Sequence, residues 1–186
     1  RLLVGAAIGA KGEYLERAHA LVDAGVDVIC IDIAHGHTKL AADAIKAVRE
    51  RFPDVDIMAG NVCTAEGASF LAKAGANMIR VGVGGGSVCS TRIVTGAGMP
   101  QVTAIQECVR GVRDLVDPPA LIADGGIRKS GDVGKALGLG ATAVMMGGAL
   151  AGTDESPGTI LYKDGKAVKI FRGMAGYGAN NSKSQR

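Results

Sequence analysis

The sequence predicts an α/β fold of parallel strands with helices packed outside them, and three observations carry that prediction. Short β-branched or apolar runs alternate with segments of helical period along most of the chain. The apolar runs are continuous rather than alternating, as expected of strands covered on both faces. None of the strand-helix units carries G-x-G-x-x-G after its strand, which removes the dinucleotide-binding version of a doubly wound sheet. Six strand-helix units suit an incomplete (β/α)8 TIM barrel covering its last six units, because a full barrel takes about eight units and ~250 residues. An open parallel sheet is the alternative. Residues 1–186 are then one catalytic-type barrel domain, incomplete at both ends.

Each element has a local reason. A strand over 2–7 is followed by a helix over 13–24, with Leu15, Ala18, Leu21 and Val22 on one face and Gly25 as the stop signal. The run 26–33 is a buried strand. The pattern then repeats as helix 38–52, strand 56–58, helix 64–74 and strand 78–81. A long glycine-rich loop intervenes before helix 102–116, strand 120–123, helix 131–139 and strand 143–146. Beyond these, Leu161-Tyr162-Lys163-Asp164-Gly165-Lys166-Ala167-Val168 reads as two short strands around an Asp-Gly turn. This hairpin, inserted near 159–172, belongs either to the catalytic side of the barrel or to an exposed ribbon with no role.

Composition narrows the function classes. Glycine is abundant at 29 residues and tryptophan is absent, a profile of an ordered Ala/Val/Ile/Gly-rich α/β protein. The formal net charge of +3 is small and its basic residues are dispersed, which gives no support for nucleic-acid binding. No apolar run has membrane-spanning length and the N-terminus lacks a signal-peptide pattern. Cys30, Cys63, Cys89 and Cys108 lack CxxC spacing, so reduced thiols and a cytoplasmic setting are expected.

Chemistry-bearing residues fall just past the strands, where such barrels carry their sites. They are Asp32 with His35 and His37, then Asn61, then the loop from Gly84 to Arg92, then Asp124-Gly125-Gly126, and finally Gly147-Gly148. The loop places three glycines, which admit close backbone approach, before a thiol, two hydroxyls and a guanidinium. Cys89 is either a nucleophile activated by N–H donors and positive charge, or a small buried apolar side chain. The two glycine pairs past the last two strands suit a phosphate, and Asp124 suits ribose hydroxyls. Tight turns are the alternative for the glycines. Asp32 binds a ribose diol or caps a turn. His35 and His37 lack a third ligand for zinc. Arg80, a charge near the end of an apolar strand, needs Asp32 or Asp124 as partner. Cys30 and Cys108 read as core, and Cys63 is undecided.

Taken together, these segments resemble the IMP dehydrogenase/GMP reductase family over nearly the whole chain. The carriers are Val4-Gly5-Ala6-Ala7-Ile8-Gly9, Ile31-Asp32-Ile33-Ala34-His35-Gly36-His37, Ala59-Gly60-Asn61-Val62, the loop Gly84-Gly85-Gly86-Ser87-Val88-Cys89-Ser90-Thr91-Arg92, Ile122-Ala123-Asp124-Gly125-Gly126-Ile127-Arg128, Glu155-Ser156-Pro157-Gly158 and Arg172-Gly173-Met174. The resemblance implies that Cys89 adds to C2 of a purine with Thr91 assisting. It implies Ser87, Gly125, Gly126, Gly147 and Gly148 around the phosphate end, Asp124 on the ribose, and Gly173 and Met174 at the base. Asp32 and Asn61 would line the nicotinamide side. A potassium ion would sit on the carbonyls of Gly84, Gly86 and Cys89, and the assembly would be a homotetramer acting on GMP or IMP.

Both activities of the family stay in view. A reductase converts GMP to IMP with NADPH and a dehydrogenase oxidises IMP with NAD⁺. His35-Gly36-His37, Thr64-Ala65-Glu66-Gly67 and Ser130-Gly131-Asp132 look like bacterial-type dehydrogenases. Thr95-Gly96, Gly148, Phe171 and Ala175-Gly176, nearer the substrate, look like reductases, and the reductase is favoured. Gly85 departs from the proline or cysteine common at its place. A more distant alternative is an FMN-dependent barrel oxidoreductase, whose phosphate loops look alike.

Overall fold

A computed structural model of the chain describes residues 1–173, so the expectations for Met174 and for Ala175-Gly176 fall outside the described residues. Six parallel strands form one sheet in chain order: β1 (Gly5–Ile8), β2 (Val28–Asp32), β3 (Asp56–Val62), β4 (Met78–Val81), β5 (Ala120–Asp124) and β6 (Ala143–Met145). A doubly wound sheet reverses its strand order at a switch point. Here every strand pairs with its immediate successor, which is the winding of a barrel arc, and the open-sheet alternative falls away.

The connecting helices are α1 (Tyr14–Asp23), α2 (Lys39–Arg51), α3 (Ala65–Ala74), α4 (Thr91–Thr95), α5 (Gln101–Val112) and α6 (Ser130–Gly138). Two of them start where the sequence supplies a threonine cap. Thr38 Oγ1 accepts from the Ala41 N–H at 3.3 Å and Thr64 Oγ1 from the Gly67 N–H at 3.1 Å. The short helix α4 was not expected from the sequence, and α5 stops four residues early. Strand β3 runs on to Val62 instead of ending at Met58. No helix among the described residues is long and apolar enough to cross a membrane.

Strand alternation divides the sheet into two faces. Ile29, Ile31, Ile57, Ala59, Ile79, Val81, Leu121 and Ala123 turn outward and close a core with Ile45 and Val48 of α2, Leu71 of α3 and Ile105 and Cys108 of α5. Each fully buried Ile or Leu side chain there contributes about 1.5–3 kcal/mol of transfer free energy. The alternate residues, among them Cys30, Asp32, Gly60, Arg80 and Asp124, occupy the inner face. The charged site is therefore built on the back of the apolar core.

The hairpin consists of β7 (Ile160–Lys163) and β8 (Lys166–Lys169), antiparallel around Asp164 and Gly165 at φ 51° and 74°. Positive φ at both central residues is what a type I′ turn requires. Most residues of the ribbon are exposed, but Lys169 anchors it: its Nζ donates to the carbonyls of Thr153 and Ser156, each at 2.6 Å.

Candidate active site

The floor of the site is a charge cluster on the inner face. Arg80 donates from Nη2 and Nε to Asp124 Oδ2 at 2.7 and 3.2 Å, and its Nη1 pairs with Asp32 Oδ1 at 2.8 Å. Both carboxylates named as candidate partners are used at once. Burial works against the guanidinium charge, but Asp124, Cys30 and Asp32 outweigh it and raise its pKa. Gly60 stands beside Arg80 in the ladder, and a Cβ on Gly60 would lie 2.6 Å from the Cβ of Arg80. Asn61, expected just past its strand, lies within β3, where the register shifts between Gly60 and Val62. Its Nδ2 donates to Gly82 O at 2.9 Å and to Asp124 Oδ2 at 2.8 Å, so its amide hydrogens are committed to the site's own frame.

Above this floor, the loop after β4 carries Cys89 in an exposed position, which excludes the buried-thiol alternative. Its Sγ donates to Thr91 Oγ1 at 3.2 Å. The hydroxyl and the N–H of Thr91, then the N–H of Gly84 and the charge of Arg92, lower the Cys89 pKa against a smaller opposing effect of burial. Arg92 also braces the loop, donating from Nη2 to Met99 O at 2.8 Å. The Gly86 carbonyl accepts the Cys89 N–H at 3.1 Å. The other three cysteines behave oppositely: burial raises Cys30 and Cys63, and pushes Cys108 up to about 12.

The glycine pairs are where loops meet. Gly125 adopts φ 101°, and a Cβ there would sit 3.0 Å from the backbone of Gly85 and Gly86. A Cβ on Gly148 would come 2.8 Å from Ser87 Oγ, and one on Gly147 3.4 Å from the Phe171 ring. Gly126 lies at φ 78° beside Gly125. Ser87, Gly125, Gly126, Gly147 and Gly148 are thus gathered from three loops into one small-residue cradle. The chain leaving the hairpin joins it, since a Cβ on Gly173 would be 2.9 Å from Val88 O. The ribbon itself is exposed, while the segment leaving it brings Phe171 beside Gly147 and Gly173 beside Val88.

The rings of His35 and His37 stand 6.3 Å apart, and His37 packs against Phe70 at 4.9 Å. One contributor went unnoticed in the sequence. Gln101, the first residue of α5, donates from Nε2 to Val81 O at 2.7 Å, and its buried Oε1 has no partner among the described residues. Its only sequence signal is a polar residue directly after Pro100 at a helix start, which is too common to single out.

The family model described as the IMP dehydrogenase / GMP reductase domain matches residues 1–186. A GMP reductase of Leishmania major is 55% identical over 188 residues, covering 100% of this chain and 38% of the relative. An inosine-5′-monophosphate dehydrogenase of Aquifex aeolicus is 54% identical over 183 residues, covering 98% of this chain and 37% of the relative. The crystal structure of a Trypanosoma brucei GMP reductase in complex with guanosine 5′-monophosphate superposes with a TM-score of 0.95 at 53% identity, over 100% of this chain and 39% of that one. The chain therefore spans well under half the length of these relatives. On the family model and these identities, the chain belongs to the IMP dehydrogenase / GMP reductase domain family.

Proposed function

We propose that residues 1–186 are part of the catalytic barrel domain of an NAD(P)-dependent purine-nucleotide oxidoreductase, and that its reaction is the reduction of GMP. The carrying observation is Cys89: an exposed thiol of lowered pKa, at the same mouth as the Ser87–Gly148 cradle and Asp124. The cradle admits phosphate oxygens because no Cβ fills it, and Asp124 accepts from the ribose hydroxyls. With the mononucleotide held at its phosphate and sugar, the Cys89 thiolate adds to purine C2, while the Thr91 hydroxyl serves protons at the same carbon.

For GMP, the C–N bond at C2 then breaks and ammonia leaves, giving a xanthosine-type thioimidate on Cys89. Asp32 and Asn61 would line a bound nicotinamide, which would supply the hydride needed at C2; breaking of the C–S bond then returns the thiolate of Cys89. The sum is GMP, NADPH and two protons to IMP, NADP⁺ and ammonium. Gly173 and Met174 are assigned to the base edge. The carbonyls of Gly84, Gly86 and Cys89 are assigned to a potassium ion; Gly86 O has a second lone pair beyond the turn bond it accepts. A homotetramer in the cytoplasm belongs to the same proposal, with sedimentation of the full-length protein as its check.

What favours the reductase direction is that Gly148 and Phe171, side by side at the cradle, both lack a hydroxyl. The alternative is IMP dehydrogenase, the name carried by the Aquifex relative. Full-length protein offered GMP with NADPH and IMP with NAD⁺, with potassium or sodium, separates them. NADPH consumption with GMP is expected; NADH production from IMP alone reverses the assignment. Turnover of neither leaves a nucleotide-binding relative, and flavin released on denaturation removes the whole reading.

A further inference from the structure

We propose that Arg80 is a positioning residue for the nucleotide sugar: it locks the Asp124 carboxylate in the orientation that presents Oδ1 to the ribose diol, and couples that carboxylate to Asp32. The inference rests on the reading of Asp124 as the ribose ligand. Its basis is an asymmetry within one side chain. Asp124 Oδ2 accepts from Arg80 Nε at 3.2 Å, from Arg80 Nη2 at 2.7 Å and from Asn61 Nδ2 at 2.8 Å. Oδ1 accepts no hydrogen bond from the described residues, although the side chain is only 20% exposed. Three donors on one oxygen hold the carboxylate against rotation, and the other oxygen remains for a ligand that brings its own hydroxyl donors.

Arg80 is turned to its protein partners rather than to a ligand, with at most one of its five N–H donors, on Nη2, left uncommitted. Nε and Nη2 serve Asp124, while Nη1 pairs with Asp32 Oδ1 at 2.8 Å and reaches Cys30 Sγ at 3.6 Å. Its side chain is 14% exposed, so the pairing works in a medium where each charged hydrogen bond counts for more than at the surface. Gly60 leaves room for this arrangement, since any Cβ there would collide with the Arg80 Cβ at 2.6 Å. One planar fork therefore sets two carboxylates that the proposed function assigns to the nucleotide and the cofactor. A lysine in its place would bring charge without the fork.

The test compares binding of GMP and of 2′,3′-dideoxy-GMP to the full-length protein by calorimetry. The unmodified protein is expected to prefer GMP by at least about tenfold, the worth of one charged hydrogen bond. In Arg80→Met that preference should fall to about twofold or less, while affinity for the dideoxy nucleotide stays within about twofold. Arg80→Lys, which keeps the charge and guards against a variant that fails to fold, should also lose most of the preference. Equal weakening of both nucleotides, or a full preference retained in Arg80→Lys, overturns the inference. No preference in the unmodified protein instead overturns the assignment of Asp124 to the ribose.

Discussion

Cys108, in the packed layer between sheet and helices, and Cys89, in the exposed loop past β4, carry the same side chain, and the two regions treat it in opposite ways. Cys108 lies in the apolar layer between sheet and helices, where burial pushes its thiol up to about 12. Cys89 lies at the mouth, where the Thr91 hydroxyl, two N–H groups and Arg92 pull its thiol down. The outer layer disfavours charge and gains its stability from close packing. The mouth is assembled from glycines and polar atoms, gives up packing, and stabilises an anion. Thiol reactivity in this chain is set by burial and by the donors at hand, not by the residue type: Cys30, on the inner face but buried, is pushed up as Cys108 is.

Variants can break or sharpen that contrast, and the largest effect is expected at the mouth. Cys89→Ala in the full-length protein should abolish turnover, by at least about a thousandfold, while mononucleotide binding measured by calorimetry stays largely intact. Cys108→Ala should leave turnover nearly unchanged, and equal losses from both would erase the distinction. In the outer layer, Leu71→Ala should destabilise by about 2–5 kcal/mol in denaturant unfolding, because Leu71 is fully buried and the layer collapses only partly. Nucleotide affinity of the folded fraction should not move.

A smaller effect is expected where two loops touch. Gly125→Ala forces a Cβ to 3.0 Å from the backbone of Gly85 and Gly86 at φ 101°, and should weaken mononucleotide binding by about tenfold. Unchanged affinity would mean that the loop contact is not part of the cradle. The smallest shift concerns the thiol itself. The rate of Cys89 alkylation against pH should have its midpoint below the ordinary thiol value, so reactivity persists as pH falls and is lost only on passing that lowered pKa. Thr91→Val removes the hydroxyl that lowers the Cys89 pKa most and should move the midpoint upward; a midpoint that stays put would assign the effect to the backbone donors instead.

The elements differ in how far they could be read in advance. The helix starts at Thr38 and Thr64, the stop at Gly25 and the Asp164-Gly165 turn rest on neighbours within a few residues, and the structure has them where local chemistry puts them. Strand β3 was read too short because Ala59, Gly60 and Asn61 have weak strand preference; pairing with β2 and β4 extends it regardless. Helix α4 was missed because five residues with a glycine stop carry no period to detect. At the site, the residue types and their loops could be read, since a parallel barrel puts strand ends at one mouth. Which partners they take could not.

By itself, then, the chain order of apolar runs and glycines determined a parallel barrel arc with its polar groups at one end, because strand period and turn chemistry act over short distances. Only the tertiary structure decided that Arg80 holds Asp32 and Asp124 together, that Gly148 makes room for Ser87, and that Gly173 reaches Val88. Those contacts join residues tens of positions apart, and their geometry depends on strand register and loop approach, which no local stretch of sequence encodes.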